Sequence, residues 1–321
     1  MTMSMVEKFF SVNYAQKGEL FEGLSIWKEE KYQNLQGTFP VISLSFANVK
    51  EKSYETTVQR ICQIVTELYN DNRFLLDGDL LSEEEKTYFR SISMDMPEVV
   101  ATMAIHRLSK FLSQYYGKKV IILLDEYDTP MQEAYVNGFW DELEFFTRSM
   151  FNAAFKTNPY LECAIMTGIT SVNRDAIFPD LNHLEVITTT SEKYAECFGF
   201  TEEEVFASLE EYGLSERKEE VKSWYDGFTF GSKTDIYNPW SIINYLDKKK
   251  IGVYWFSEDK VQDREDEKDL QDTVKAALQQ INAKKYEASL IEKGIPKEKI
   301  RTYGFAFQGK QVLIGDRTVI V

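Results

Sequence analysis

The stretch KKVIILLDEYDTP, residues 118–130, decides the architecture. Val120 to Leu124 are five apolar residues in a row, with no polar side left for solvent. Such a run reads as a strand buried on both faces, and it stops at Asp125. Upstream, residues 54–70 and 96–116 carry helical periodicity, the second ending at Tyr116-Gly117 with glycine as its C-cap. Before them, FPVISLSF (39–46) is a second buried strand, and residues 4–13 begin a helix almost at the first residue. Downstream, the pattern predicts a helix over 138–156, a strand at LECAIMTG (161–168) and a fourth short strand at LEVITTT (184–190). Strands alternating with helices of ten or more residues imply an α/β fold with a parallel sheet flanked by helices.

Composition narrows the function. The 321 residues are enough for about two domains. A net charge of −15 disfavours general binding to phosphate backbones, so nucleic acid is not an expected partner on charge grounds. Cys62, Cys163 and Cys197 are far apart and form no CxxC pair, so neither a disulfide framework nor a zinc site is expected; they read as core residues. With only His106 and His183 available, a histidine metal site is poorly supplied. No apolar run approaches a membrane span and the start has no signal-peptide pattern, so a cytoplasmic setting is expected.

The candidate chemistry lies where the buried run ends. An apolar strand closing in Asp-Glu is the Walker B arrangement, in which the aspartate holds the shell of a Mg²⁺ ion and the glutamate polarises the attacking water. Those roles fall to Asp125 and Glu126. The same residues also suit a plain strand that stops at a polar turn closed by Thr129-Pro130. On the next strand, Thr167 of IMTGIT (165–170) stands where a sensor would contact a γ-phosphate; an ordinary strand end stopped by Gly168 is the competing interpretation.

With SVNRDAIFPDLNHLEVIT (171–188), KYAECFGFTEEEV (193–205), SWYDGFTFG (223–231) and YNPWSIINYL (237–246), these motifs fall in an order that resembles the bacterial AAA-ATPase-like family over about residues 1–250. The resemblance implies a P-loop ATPase core followed by a PD-(D/E)XK nuclease-like domain, with ATP and Mg²⁺ as cofactors. It implies Asp125 as metal and cofactor ligand, with Glu126, Thr167 and Arg174 as catalytic residues. Arg174 would stand in for the arginine that family members usually carry at the position of Ser171. A phosphate-binding loop resembling RPRRFGKS precedes the segment corresponding to TMSMVEKFF in such proteins. No GxxxxGK[ST] occurs in this sequence. The expectation is therefore a core truncated at its N-terminus, with an unpaired edge at the centre of its sheet and no ATP hydrolysis. The alternatives are a non-catalytic interaction module that pairs with itself or with intact family members, or the product of a gene fragment.

Three regions follow: an ATPase-like core over 1–195, a helical lid over 196–250 and a nuclease-derived tail over 251–321. In the lid, Thr201 and Glu204 form a capping box, further helices cover 216–225 and 239–248, and Gly227 caps the first of these while Trp224 and Phe228 pack inward. In the tail, Gln280 and Tyr286 resemble part of the nuclease helix. Glu258-Asp259-Lys260 fits E-x-K only formally, since Asp259 breaks the apolar pattern and the first catalytic acid has no counterpart, so nuclease activity is not expected. Gln308-Gly309 between two apolar runs predicts a hairpin, and nucleic acid enters as a partner only through this likeness.

Overall fold

A computed structural model describes residues 2–168, 184–252, 254, 271–272, 274–275, 278–279, 302–308 and 311–316. The chain divides into two compact units, Met1–Glu185 and Val186–Val321.

The first unit is mixed α/β. Helices α1 (Thr2–Phe10) and α2 (Glu30–Gln33) precede β1 (Val41–Ser45). Then come α3 (Tyr54–Asp71), α4 (Glu83–Ser91), α5 (Glu98–Tyr116), β2 (Val120–Asp125), α6 (Thr129–Asn137), α7 (Trp140–Phe151) and β3 (Leu161–Met166). The three strands form one parallel sheet in the order β1-β2-β3, with Ser45 opposite Asp125 and Leu124 opposite Met166.

Burial explains why β2 is central. Val120 to Leu124 are all buried, and they alternate between two cores. Ile122 and Leu124 face Ile61 and Val65 of α3, Ile105 and Leu108 of α5, and Phe146 of α7. Ile121 and Leu123 face Met3, Val6 and Phe10 of α1. Each fully buried aliphatic side chain is worth about 1.5–3 kcal/mol, so an uninterrupted run tolerates no edge position. Among the described residues the sheet is contiguous, with β1 and β3 as its two edges. On β3, Glu162 and Cys163 are exposed and Ile165 is 39% exposed.

Two local expectations need correction, and two helices, α4 and α6, go beyond what the sequence suggested. Residues 184–190 form no strand. The helix expected over 138–156 is α7 with the π-helical turn Asn152–Lys156 that continues it; ahead of it stands α6, which starts at Thr129-Pro130 and ends at Gly138, left-handed at φ 83°. The polar stretch 82–92 is helical because Ser82 and Glu85 form a capping box. Cys62 is buried, but Cys163 and Cys197 are exposed rather than core.

The second unit is not purely helical. It holds β4 (Phe200–Thr201), α8 (Glu202–Glu211), α9 (Lys218–Tyr225), β5 (Phe228–Phe230), β6 (Lys233–Tyr237) and α10 (Pro239–Lys248). The strands make an antiparallel sheet in the order β4-β6-β5. A two-residue Gly231-Ser232 connection with Gly231 at φ 55° turns β5 into β6. Thr201 and Glu204 form the expected capping box, and the Asn238 side chain caps α10 by accepting from the Ser241 amide at 3.1 Å. The end of α9 differs from expectation: its C-cap is Asp226 in extended conformation, while Trp224 and Phe228 are exposed. Tyr225 packs instead, donating its hydroxyl to the Gly252 carbonyl at 2.9 Å. Further on, β7 (Tyr303–Gln308) and β8 (Gln311–Asp316) pair antiparallel as the expected hairpin. Residues 258–260, Gln280 and Tyr286 lie outside the described residues.

Candidate functional site

In a parallel sheet the carboxyl ends of the strands open onto a common crevice, because every connection must cross back to the other end. Here that end is formed by Ser45, Asp125 and the Met166-Thr167 pair. Helix α1 runs antiparallel to the strands. At its C-terminal end the Phe10 carbonyl accepts from the Phe39 amide at 2.8 Å, just before β1. One turn earlier Glu7 Oε2 accepts from the Ser43 hydroxyl at 3.3 Å. The first turn of α1 therefore lies toward the crevice, and it carries no acidic residue.

Thr167 organises the site. Its hydroxyl donates to Asp125 Oδ1 and accepts from the Glu126 amide at 3.3 Å. Its carbonyl accepts from the Tyr127 amide at 3.0 Å, and its own amide donates to the Leu124 carbonyl at 3.0 Å. One threonine thus uses both functions of its hydroxyl and both of its backbone groups to hold the turn leaving β2 against the end of β3.

Glu126 sits in the left-handed region at φ 51°, unusual for a residue with a side chain. This reversal directs the chain from β2 into α6, whose Thr129 donates its hydroxyl to Glu126 Oε2 at 3.1 Å. Asp128 is fully buried beside Gly168 and accepts from Gln132 Nε2 at 3.0 Å. Burial, with Asp128 adding to it, pushes the Tyr127 phenol above its ordinary pKa. Among the described residues no lysine or arginine pairs with Asp125 or Glu126.

The structure thus brings together Asp125, Glu126 and Thr167, three of the four residues singled out from sequence. Arg174 lies outside the described residues. Sequence reasoning missed Thr129, Asp128 and Gly168. A signal for Thr129 was present, since Thr-Pro suits the opening of a helix and places that hydroxyl three residues from Glu126.

Among the described residues no three His, Cys, Asp or Glu side chains converge as a metal cage. One strand-end aspartate fits a Mg²⁺ ion that takes its remaining ligands from phosphate and water, the usual manner of nucleotide-bound magnesium. The sequence offers no GxxxxGK[ST] for the phosphates. Gly304 and Gly309-Lys310 have that spacing, but Gln311 stands at the Ser/Thr position, and Gln311 opens strand β8 where a phosphate-binding loop would open a helix.

Comparison with known proteins gives one curated relative and a family. A curated relative, an uncharacterized protein in the vnfD 5′ region of Azotobacter chroococcum, is 27% identical over 143 residues, which is 44% of this chain. The match spans 27% of that protein's own length. No solved structure matches the chain. A family model described as predicted AAA-ATPase, AAA-ATPase-like, matches residues 1–178, more than half the chain and all three strands of the parallel sheet. The chain belongs to the predicted AAA-ATPase family.

Proposed function

We propose that the crevice at Asp125, Glu126 and Thr167 is the metal-and-water corner of a P-loop nucleotide site, with Asp125-Glu126 as its Walker B pair. The observation that carries this is the Thr167 hydroxyl, which holds the Asp125 carboxylate and the Glu126 amide together at the ends of adjacent parallel strands. In this account Asp125, whose Oδ1 is held by Thr167, would contribute its carboxylate to the shell of a Mg²⁺ ion. Glu126, held by Thr129, would stand as the base toward water, and Thr167 would stand where a sensor meets a γ-phosphate. Bound Mg²⁺ would supply charge neutralisation of the phosphates. Arg174 stands as the candidate for transition-state charge.

The residues here do not suffice for turnover. Most β- and γ-phosphate binding in such sites comes from loop amides and a lysine. With no such loop in the sequence, residues 1–321 bind Mg-ATP weakly and do not hydrolyse it. Millimolar Mg-ATP should raise the melting temperature of the wild type and leave Asp125→Asn unchanged, with no phosphate released by either. A shift that survives Asp125→Asn, or Mg²⁺-dependent hydrolysis abolished by Glu126→Gln, would overturn this.

A second interpretation, a non-catalytic module that associates with itself or with intact family members, is favoured by the open edge of β3 and its exposed Cys163 and Ile165. Sedimentation tests it: a stable oligomer with no nucleotide response supports the module over the ATPase remnant. The nuclease-like assignment of the tail rests on sequence resemblance alone. Three free thiols suit a reducing, cytoplasmic compartment, and no helix among the described residues is long and apolar enough to cross a membrane.

A further inference from the structure

The free edge of β3 is set by its backbone. Along a strand, successive residues turn their amide and carbonyl groups to opposite edges. Thr167 turns both groups toward β2, its amide to the Leu124 carbonyl and its carbonyl to the Tyr127 amide, each at 3.0 Å. Ile165 and Cys163 share that direction, opposite Leu123 and Ile121. Ala164 and Met166 therefore turn their backbone groups away from the sheet, and no described residue bonds them there.

The side chains divide in the same alternation. Ala164 and Met166 pack on the core formed with α3, α5 and α7. Cys163 and Ile165 lie on the other face, where α1 packs on Ile121 and Leu123 of β2 while these two stay exposed. Edge strands are commonly guarded by lysine, proline or a bulge that turns the edge away. The stretch Cys163–Met166 has no charge and no proline, and the register shift against β2 lies ahead of it, between Leu161 and Cys163. The other edge differs, since β1 exposes Ser43 and Ser45.

We propose that β3 pairs antiparallel with β3 of a second copy, across a two-fold axis at Ile165. This deepens the associating-module interpretation given above, from which it takes self-association alone, and it needs no nucleotide. The occupant is an extended strand because backbone groups left free on alternate residues are met by the ladder of another strand. The strand is a second copy because the edge is its own complement. With Ile165 opposite its mate, Ala164 stands opposite Met166 of the other copy, and Met166 opposite Ala164. Each such pair exchanges both of its hydrogen bonds, as an isologous contact requires. The two Ile165 side chains meet as a close, non-hydrogen-bonded pair on the exposed face and leave water together. Charge does not oppose this register. Glu162 is the charged residue of β3, and it falls opposite Gly168 of the other copy. The two Glu162 carboxylates then stand about 20 Å apart along the pair, well beyond the roughly 8 Å screening length. Centring the axis on Ala164 instead would draw Glu162, at the register shift, into the ladder.

The test uses the full chain without nucleotide. Sedimentation equilibrium should show a dimer with a Kd below about 100 µM. Ile165→Lys sets two like charges against each other at the axis and should weaken the dimer about tenfold or more. Ile165 is exposed, so this variant should melt with the wild type, and cross-linking decides the matter should it melt early. In the combined variant Cys163→Ser, Ile165→Cys, Cys197→Ser, oxidised glutathione should link the copies through position 165, where facing residues stand within disulfide reach. In Cys197→Ser alone the native Cys163 thiols would each face Thr167, about 13 Å from one another, and should form no link. A chain that stays monomeric at about 100 µM overturns the pairing and self-association together. A dimer that survives Ile165→Lys, or that links through Cys163 and not through position 165, overturns this pairing and leaves self-association standing.

Discussion

Replacing Thr167 with valine removes one hydroxyl while keeping the shape and the β-branched preference of a strand end. In the wild type that hydroxyl donates to the Asp125 carboxylate and accepts from the Glu126 amide. A hydrogen bond to a charged group contributes about 1.5–3 kcal/mol and a neutral one about 1 kcal/mol. Thr167 and Asp125 are only partly buried, so water replaces part of what is lost. The net cost should be about 1–2 kcal/mol, a fall of roughly 2–8 °C in Tm for a unit of this size. The backbone bonds of Thr167 to Leu124 and Tyr127 stay in place, so the loss isolates the hydroxyl. Urea and thermal denaturation of wild type, Thr167→Val and Thr167→Ser measure it. Serine keeps the hydroxyl and should recover most of the loss. If valine is as stable as the wild type, or serine is as damaged as valine, the hydroxyl does not organise the turn and the reasoning is wrong.

Three further outcomes follow from the same geometry. Gly168→Ala would set a Cβ 2.6 Å from Asp128 Oδ1 and 2.8 Å from the Tyr127 ring, so it should cost about 1–3 kcal/mol in urea denaturation; a neutral result would mean the β3 end does not press on the β2 turn. Glu126 is left-handed, so Glu126→Val should destabilise by about 1–2 kcal/mol relative to Glu126→Gly, and denaturation midpoints in the wrong order would refute the strained turn. Burial first, and then Arg107 and Lys110, holds the His106 imidazole below its ordinary value of 6.5, and its Nδ1 is buried without a partner. The unfolded chain then binds this proton first, so stability should fall as pH drops through 6.5 toward the lowered folded value. His106→Gln should lose less stability than wild type between pH 7.5 and pH 5.5, by chemical denaturation.

Much of the first unit could be read from sequence because its strands are buried on both faces. The run from Val120 to Leu124 has no other comfortable fate, and the helical spacing of Val58, Ile61, Cys62 and Val65 matches the face that packs on it. What failed was local and had local causes. Helix α4 was hidden by its polarity although Ser82 and Glu85 carried the capping signal. Helix α6 was not read because Thr129-Pro130 looked like the close of a polar turn, although that pair also suits a helix start. The small sheet of the second unit was missed because FTF and KTDIY are short strands with little alternation, although Gly231-Ser232 was a turn signal. At the site, residue types pointed to Asp125, Glu126 and Thr167. No periodicity could reveal that Glu126 is left-handed, or that Thr129 reaches back to it, because both depend on how the turn closes against β3.

The claim beneath all of this is that Asp125 holds the metal shell of a nucleotide bound at the carboxyl end of the parallel sheet. Mn²⁺ with excess ATP, titrated into isotope-labelled residues 1–321 and followed by paramagnetic broadening, tests it most directly. The account predicts selective loss of the Asp125, Glu126 and Thr167 amide signals, with an apparent Kd on the order of millimolar, and no such loss in Asp125→Asn. Broadening that is absent at those amides, or that persists unchanged in Asp125→Asn, would contradict it.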